Sequence, residues 1–425
     1  MVSQLYLPSH FAKIWGVAMR ALSKATPPLE YPEYTPPGSD YYVNSSFEFW
    51  TSGFFPGCLY LLYERQRKWP WAGQTLTGQP RPHPLKLRFA CAWWTENLHD
   101  LALKTDTHDL GFMIQPWAQL GWELDHDSRC HDTLVRAARA LASRYDPKVG
   151  CIRSWDVCFT RRYAFDDPSK NFLVIIDNMM NLDLLYYVAN LTANPSLSDI
   201  ATAHAFKSLE AHVRPDWSTC HVADFDNETG ELRARLTNQG YSDTSCWARG
   251  QAWGICGFAQ AYKWTNEPRF LEASQNLAKY FVAHLPEDNV PYWDFDAPKP
   301  GPRDTSAALV AAYGLILLHE TTKQSESTYL DDALRLVSGV LSMSLAPPAK
   351  FVRNSHGDED VDLGGPETII LNATINNYEF APRRWADHGL VYADYYFLLI
   401  GNKLCQLGIQ VDGLVGIQEN AIGST

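Results

Sequence analysis

The chain has 425 residues, of which 46% are hydrophobic and 13% aromatic, and its formal net charge at pH 7 is −12. This length can bury a large core, and length alone would suggest two or three domains. A strongly acidic chain is not attracted to nucleic acid or to an anionic membrane surface, so we expect neither as a main partner.

The N-terminal residues Met1–His10 lack the basic region and the continuous apolar run of a signal peptide. No apolar stretch approaches the roughly 18 residues of a membrane span. We therefore expect a soluble, cytoplasmic protein, either a monomer or a homodimer. The nine cysteines include no C-x-x-C pair, which predicts reduced buried thiols rather than disulfides or a zinc site.

The N-terminal residues 1–40 are predicted to be partly irregular. The Pro-rich stretches Thr26–Ser39 and Gly78–Pro84 are expected to be surface loops. Six segments then change from a polar or aromatic cap into an apolar helical pattern. They start near Trp50, Asp109, Asp177, Asp243, Asp304 and Asp387. Their spacing of roughly 60 to 80 residues fits one helical hairpin plus a loop.

Further helical patterns lie between these starts, with apolar residues three and four apart and charges opposite. They are Asp132–Tyr145, Ser198–Val213, Pro268–His284 and Tyr329–Leu345. Alternating runs typical of strands are few, such as Cys220–Phe225 and Val290–Phe295. Twelve helices in six hairpins predict an all-α fold, an (α/α)6 barrel that forms a single domain over residues 1–425. In such a ring, the starts of the inner helices meet at one end.

The stretch Asn238–Gly254 combines aromatic rings with an arginine and a glutamine at the start of one predicted helix. The indoles of Trp247 and Trp253 can cover the apolar faces of a sugar, and Arg249 can grip a carboxylate. Gln251 can bond sugar hydroxyls. The stretch therefore indicates a sugar-acid pocket, although the same residues, taken alone, are also typical of a buried aromatic helix.

Asp109 and Asp177 each precede an apolar helical pattern. Aspartate is favoured at helix N-caps, so capping is one explanation for both residues. Asp177 follows Val174-Ile175-Ile176 and precedes two methionines, and this apolar setting should raise the pKa of its carboxyl group. A carboxylic acid with a raised pKa is suited to donate a proton.

Several other enzyme classes lack their motifs here. The chain has no G-x-S-x-G elbow, no G-x-x-x-x-G-K-[ST] loop, no G-x-G-x-x-G and no H-E-x-x-H. His-Asp dipeptides occur at His99, His108, His126 and His131, but a two-residue motif carries little information. We expect neither a metal site nor a cofactor.

The sequence resembles the unsaturated glucuronyl hydrolases of glycoside hydrolase family 88. The matching segments are Trp50–Gly57, His108–Phe112, Ile175–Leu182, Gln239–Gly254, Pro291–Phe295 and Arg303–Ala307. They follow one another in order over most of the chain. The resemblance implies an (α/α)6 barrel that acts on oligosaccharides ending in a Δ4,5-unsaturated uronic acid. Such enzymes hydrate the C4=C5 double bond, and the hemiketal that forms collapses to release the next sugar.

The resemblance also implies roles for individual residues. Asp177 would be the general acid and base, and Asp109 the second essential carboxylate. The residues expected to bind the unsaturated sugar are Trp50, His108, Asn178, His221, Thr237, Gln239, Trp247, Arg249 and Trp253. Two segments, Gln66–Lys86 and Lys350–Trp385, depart from the family pattern, which leaves the residues that contact the leaving sugar open.

Three alternatives stay open at this point. An unsaturated rhamnogalacturonyl hydrolase would share the barrel, the acid and the reaction but accept rhamnose in the next position. A noncatalytic carbohydrate-binding toroid would need the aromatic residues but not both Asp109 and Asp177 in one pocket. A prenyltransferase-like α/α barrel would need a zinc triad of Cys, His and Asp, which the sequence does not supply.

Overall fold

The computed structural model describes residues 2–72, 82–322, 328–357 and 359–409, and these ranges contain twelve α-helices. The helices are α1 (Pro8–Leu22), α2 (Phe54–Lys68), α3 (Pro84–Thr95), α4 (Leu110–Asp125), α5 (Ser128–Ala142), α6 (Asn178–Thr192), α7 (Pro195–His212), α8 (Ala248–Thr265), α9 (Pro268–Ala283), α10 (Thr305–Thr322), α11 (Tyr329–Ser344) and α12 (Val391–Gln406). Two 3-10 helices cover Val2–Tyr6 and Glu96–Leu103.

The even-numbered helices form a closed ring. Each contacts the next around the ring, and α12 returns to contact α2. The odd-numbered helices lie outside, and α5, α7 and α9 each contact the two inner helices that they connect. Helix α1 closes the outer layer, where the His10 ring meets Phe397 of α12 at a centroid distance of 5.0 Å. Each outer helix carries the chain back to the end of the ring where the previous inner helix began. The N-termini of the inner helices therefore meet at that end.

Burial explains this division into two layers. Helix α10 is apolar around its whole circumference and buries residues on every side, as an inner helix must. Helix α5 buries one stripe that includes Leu134 and Leu141, and it turns its arginines outward. The four outer helices predicted from sequence agree with α5, α7, α9 and α11 to within about one turn. The predicted inner starts lie just ahead of the six inner helices.

The sequence patterns missed α1 and α3, which both begin with a proline, Pro8 and Pro84. Proline is suited to the first helical turn, because the N–H that it lacks would have no helical partner there. Most of the predicted loop Gly78–Pro84, and part of the segment Gln66–Lys86, lie outside the described residues.

The described ranges also contain twelve short strands, which lie outside the helices. They are β1 (Glu30–Thr35), β2 (Val43–Ser46), β3 (Tyr145–Asp146), β4 (Cys151–Ile152), β5 (Cys158–Phe159), β6 (Ala164–Phe165), β7 (Asn171–Ile175), β8 (Val222–Asp226), β9 (Leu232–Leu236), β10 (Lys350–Arg353), β11 (Glu359–Asp362) and β12 (Gly389–Leu390). The prediction of a surface loop over Thr26–Ser39 is wrong, because β1 buries five of its six residues between β2 and β12. Its proline, Pro32, lies where the register shifts, and strands tolerate proline at such irregularities.

One three-stranded sheet positions three of the predicted site residues. Strands β7, β8 and β9 pair antiparallel in that order, with Ile175 opposite Val222 and Val222 opposite Leu236. Asp177 follows β7, His221 precedes β8 and Thr237 follows β9. The antiparallel pairing therefore places these three residues at the same end of the sheet. The alternating run Cys220–Phe225 predicted only the middle strand.

The segment Lys350–Trp385 is more ordered than the long loop that the sequence predicts. It opens with the β10–β11 hairpin and then buries Ile369 and Ile370 completely. The backbone N–H groups of these two residues donate to the Asp394 carboxylate in the first turn of α12. This contact ties the segment to the end of the ring where the inner helices begin.

All nine cysteines are buried and free, as predicted. Within the described ranges, no helix combines the length and the apolar character needed to cross a membrane.

Candidate active site

Asp109 and Asp177 occupy the N-cap positions of α4 and α6, yet neither side chain caps its helix. The Asp109 carboxylate instead accepts a hydrogen bond from the Thr107 hydroxyl at 2.8 Å. The Asp177 Oδ2 atom is buried without a hydrogen-bond partner. Capping therefore does not explain these two carboxylates, and both remain available for chemistry.

Burial raises the pKa of Asp177 to about 7, and the negative charge of Asp109 adds to this effect. Arg249 and the nearby Trp253 act in the opposite direction and lower the pKa. Desolvation dominates because the Asp177 side chain is only 13% exposed, so the charged form has little contact with water. A carboxylic acid with this pKa carries its proton for part of the time near neutral pH.

The His221 ring is neutral, and its Nε2–H group faces Asp177. Its Nδ1 atom accepts a hydrogen bond from the Asn238 backbone N–H at 3.1 Å. In the neutral ring, Nε2 must then carry the hydrogen. Nε2 lies 3.7 Å from Asp177 Oδ2, beyond normal hydrogen-bond distance. Burial and the charge of Arg249 hold the pKa of His221 well below its usual value, so the ring stays neutral.

His108 has the opposite tautomer. Its Nδ1 atom lies 3.0 Å from the Ser154 carbonyl oxygen, which can only accept, so Nδ1 carries the hydrogen. Its Nε2 atom faces Asp109 Oδ1 at 3.3 Å. Burial lowers the pKa of His108. Arg144 also donates to the Ser154 carbonyl oxygen, so the loop around Ser154 fixes the ring beside Asp109.

Arg249 is 1% exposed, and protein groups occupy part of its guanidinium. Nη1 donates to the Asp304 carboxylate at 2.7 Å and to the Thr374 carbonyl at 2.6 Å, while Nη2 donates to the Ile375 carbonyl at 2.7 Å. Within the described part of the chain, the Nε–H and one Nη2–H have no acceptor. The edge formed by Nη1 and Nη2 is therefore occupied by protein groups. Only the side edge, formed by Nε–H and one Nη2–H, is left for a ligand carboxylate.

Aromatic rings form a continuous wall beside these groups. The Arg249 guanidinium lies over the rings of Trp247 and Tyr392, at 4.6 and 5.5 Å from their centroids. Tyr392 contacts Trp50 at a centroid distance of 5.2 Å, and Phe112 joins Trp50 to Trp253 at 5.5 and 5.3 Å. Gly250 permits this arrangement, because a Cβ there would lie 2.8 Å from the Trp247 ring.

Buried polar atoms without partners concentrate at this site. They are Asp177 Oδ2, His108 Nε2, His221 Nε2, Asn178 Oδ1, Trp247 Nε1, Trp253 Nε1 and Tyr392 Oη. Buried polar atoms normally have a hydrogen-bond partner, from the protein or from ordered water. A cluster of this kind therefore points to a polar ligand that supplies several donors and acceptors.

The remaining predicted residues shape the loop above β9. The Thr237 hydroxyl accepts from the Gly240 N–H at 2.8 Å, and Gln239 Nε2 donates to the Ile375 carbonyl at 2.8 Å. Their contacts with substrate stay predictions. The expectation that Gln251 bonds sugar hydroxyls is wrong, because its amide donates to the backbone carbonyls of Trp217 and Leu277.

Two residues of the site were absent from the sequence prediction. Tyr392 lies in the first turn of α12, and its position after a predicted inner-helix start was the one available signal. Trp155 bridges Thr107 and Leu173 and contacts the His221 ring at a centroid distance of 6.0 Å. It lies on an irregular segment with no motif. Among the described residues, no three His, Cys, Asp or Glu side chains are grouped as metal ligands.

The chain is similar to several known proteins. The chain is 34% identical over 354 residues to an unsaturated glucuronyl hydrolase from Formosa agariphila, covering 82% of this chain and 78% of the relative. It is 30% identical to an unsaturated chondroitin disaccharide hydrolase from Streptococcus pyogenes, covering 82% and 79% of the two chains. The crystal structure of an unsaturated glucuronyl hydrolase specific for heparin superposes with a TM-score of 0.75 and 29% identity, covering 96% and 97%. No family model matches the sequence. The extent and identity of these matches place the chain in the unsaturated glucuronyl hydrolase family.

Proposed function

We propose that this glycoside hydrolase acts on oligosaccharides whose non-reducing end is a Δ4,5-unsaturated uronic acid, and that it works by hydrating the C4=C5 double bond. We also infer that the closed ring of inner helices and its outer layer form a single-domain (α/α)6 barrel. Similar proteins include an unsaturated chondroitin disaccharide hydrolase and an unsaturated glucuronyl hydrolase specific for heparin, so fragments of glycosaminoglycans are the first substrates to consider.

In the proposed mechanism, Asp177 transfers its proton to C4. The positive charge that develops at C5 is stabilised by the ring oxygen, and water adds to C5 as it loses a proton to the Asp177 carboxylate. The product is a hemiketal at C5. Its collapse breaks the bond between C5 and the ring oxygen, and the hemiacetal left at C1 then expels the hydroxyl group of the next sugar. The overall change consumes one water molecule and regenerates Asp177 in its acidic form.

Other residues would bind and orient the sugar. The side edge of the Arg249 guanidinium can donate to the substrate carboxylate while Trp247 packs against the guanidinium, and the indole face of Trp50 can cover the sugar ring. The Nε2–H of His221 and the Nε1–H of Trp253 supply further donors. Asp109, beside the neutral ring of His108, can accept from a sugar hydroxyl or from water.

The observation that carries this mechanism is the state of Asp177. Its Oδ2 atom is buried without a partner at an N-cap that it does not cap, and the pKa of its carboxyl group is raised to about 7. A noncatalytic binding protein has no need of such a group, because an unpaired buried carboxylate costs stability. The unpaired Asp177 carboxyl group therefore favours an enzyme over a noncatalytic binding toroid.

The raised pKa of Asp177 predicts a pH dependence. The proton-donating form is present below pH 7 and is lost as the pH rises through about 7, so kcat/KM should fall about tenfold per pH unit above that value. Replacing Arg249 by Met removes a positive charge that lowers the pKa of Asp177, so the falling limb should move to higher pH. A profile that stays flat from neutral to alkaline pH would contradict the assignment.

The proposed activity is tested with unsaturated disaccharides prepared with lyases from chondroitin, heparin, rhamnogalacturonan and ulvan. Loss of absorbance from the conjugated double bond should accompany release of the second sugar. Protein dialysed against EDTA serves to test the expectation that no metal cofactor is required. Hydrolysis of the matched saturated disaccharides, with none of the unsaturated ones, would refute the proposal.

A further inference from the structure

A second cavity lies at the end of the helical ring away from Asp109 and Asp177. Its volume is about 340 Å³. Its lining runs from Phe54 and Gly111 in the first turns of α2 and α4 to Glu64, Glu123 and Lys403 in the last turns of α2, α4 and α12. None of the candidate catalytic or sugar-binding residues lines it. We call it the rear cavity.

An aromatic layer separates the rear cavity from the candidate active site. Phe112 lines the cavity and also contacts Trp50 and Trp253, whose rings belong to the active-site wall. Tyr396 lines the cavity and contacts Trp253 at a centroid distance of 5.7 Å. A ligand in the rear cavity would therefore lie against the opposite side of the same layer of rings.

Several neutral polar groups that line the rear cavity have no protein partner. The side chains of Tyr395 and Tyr396 are 9% and 4% exposed, and across the described ranges neither hydroxyl group makes a hydrogen bond to the protein. The same holds for the hydroxyl of Tyr313. Gln260 Oε1 is buried without a partner. These atoms offer both donors and acceptors to a ligand.

The charged groups of the lining are already paired. The Asp183 carboxylate accepts from Gln115 at 2.6 Å and from the Trp264 indole at 2.7 Å. Lys403 donates to Glu320 at 2.8 Å. The lining holds three acidic residues, Glu64, Glu123 and Asp183, and three basic ones, Lys68, Lys263 and Lys403. Glu64 pairs with Lys68, Glu123 accepts from Gln119, and Lys263 and Lys403 both contact Glu320 just outside the lining, so none of these charged groups is left free to attract an ion.

We propose that the rear cavity is a second binding site, and that its ligand is a small neutral polyhydroxylated molecule such as a monosaccharide. Hydroxyl groups would meet the free tyrosine hydroxyls and the Gln260 amide. The indoles of Trp69 and Trp264, which also line the cavity, would cover apolar faces of the sugar. The volume is at the lower end of the range for small-molecule sites, which suits one sugar rather than a chain.

The test titrates N-acetylgalactosamine, rhamnose and, as charged probes, glucuronate and glucosamine into the full-length protein, with binding followed by ligand-observed NMR. The Asp177→Asn variant is used with unsaturated disaccharide bound, so that the active site is filled. We expect saturable binding of at least one neutral sugar to persist there. Gln260→Met and Tyr396→Phe should each weaken it about fivefold, the effect of losing one hydrogen bond. Gln275→Met, on the outer helix α9, serves as the matched control and should leave binding unchanged.

Three results would overturn the proposal. The first is no saturable binding of either neutral sugar to a folded protein. The second is displacement of the sugar by the unsaturated disaccharide, which would place it in the active site. The third is tighter binding of glucuronate or glucosamine than of both neutral sugars. None of these results bears on hydrolysis of the double bond, so the proposed enzyme activity is tested separately.

Discussion

Replacing Asp177 by Asn is expected to lower kcat by about 10²-fold or more, the usual effect of removing a positioned acid and base. The amide has a size close to that of the carboxyl group but cannot transfer a proton to C4. Because the Asp177 Oδ2 atom has no protein partner, the substitution breaks no hydrogen bond to that atom and should leave the fold intact. Steady-state kinetics on an unsaturated disaccharide, with a thermal melt of both proteins, measure the two effects.

The matched control is Asp224→Asn. Asp224 is another buried carboxyl group whose pKa burial raises, and it lies on β8 only three residues beyond His221. Its hydrogen-bond donor in the described part of the chain is Asn171, which is not one of the candidate site residues. Activity should survive this change. An Asp177→Asn protein with nearly full kcat would remove Asp177 from the mechanism.

Replacing Arg249 by Met is expected to lower the free energy of unfolding by about 3–5 kcal/mol, the cost of leaving a buried charge without its partner. Asp304 is completely buried and pairs with Arg249 at 2.7 Å. The same guanidinium holds the backbone carbonyls of Thr374 and Ile375, so the loop between them should loosen as well. Chemical denaturation of the parent and the variant measures the loss.

Two further variants separate stability from binding. In Arg249→Met/Asp304→Asn the buried charge is gone, so part of the lost stability should return, and strictly additive losses would contradict the pairing. Arg249→Lys keeps a positive charge near Asp304 but lacks the planar side edge. We expect it to cost roughly 2–3 kcal/mol in kcat/KM, the range for a hydrogen bond to a charged group. A value of kcat/KM within twofold of the parent would exclude a role for Arg249 in substrate binding.

The helical layers could be predicted from sequence because their patterns are local. Helix α10 is apolar on every face, which predicts an inner helix, and α5 has one apolar stripe, which predicts an outer helix. The N-terminal strand β1 could not be predicted in this way. Its partners β2 and β12 lie at opposite ends of the chain, and the surrounding prolines are more typical of loops.

Much of the candidate site was also visible in the sequence, since Asp109, Asp177 and Trp247 directly precede inner helices. The partners of Arg249 were not. Asp304 and Ile375 are far from it along the chain, and only the folded ring brings them to its guanidinium. The error over Gln251 has a related cause. Its place in the first turns of a predicted helix did not show that its amide would face outer helix α9.

The most direct test of the mechanism is to follow the fate of solvent atoms during turnover of an unsaturated disaccharide. Reaction in D₂O should place deuterium at C4 of the released uronate, as read by NMR. Reaction in H₂¹⁸O should place the heavy oxygen at C5, as read by mass spectrometry before carbonyl exchange. Heavy oxygen at the anomeric C1, with the double bond intact and no deuterium at C4, would contradict hydration and identify an ordinary glycosidase.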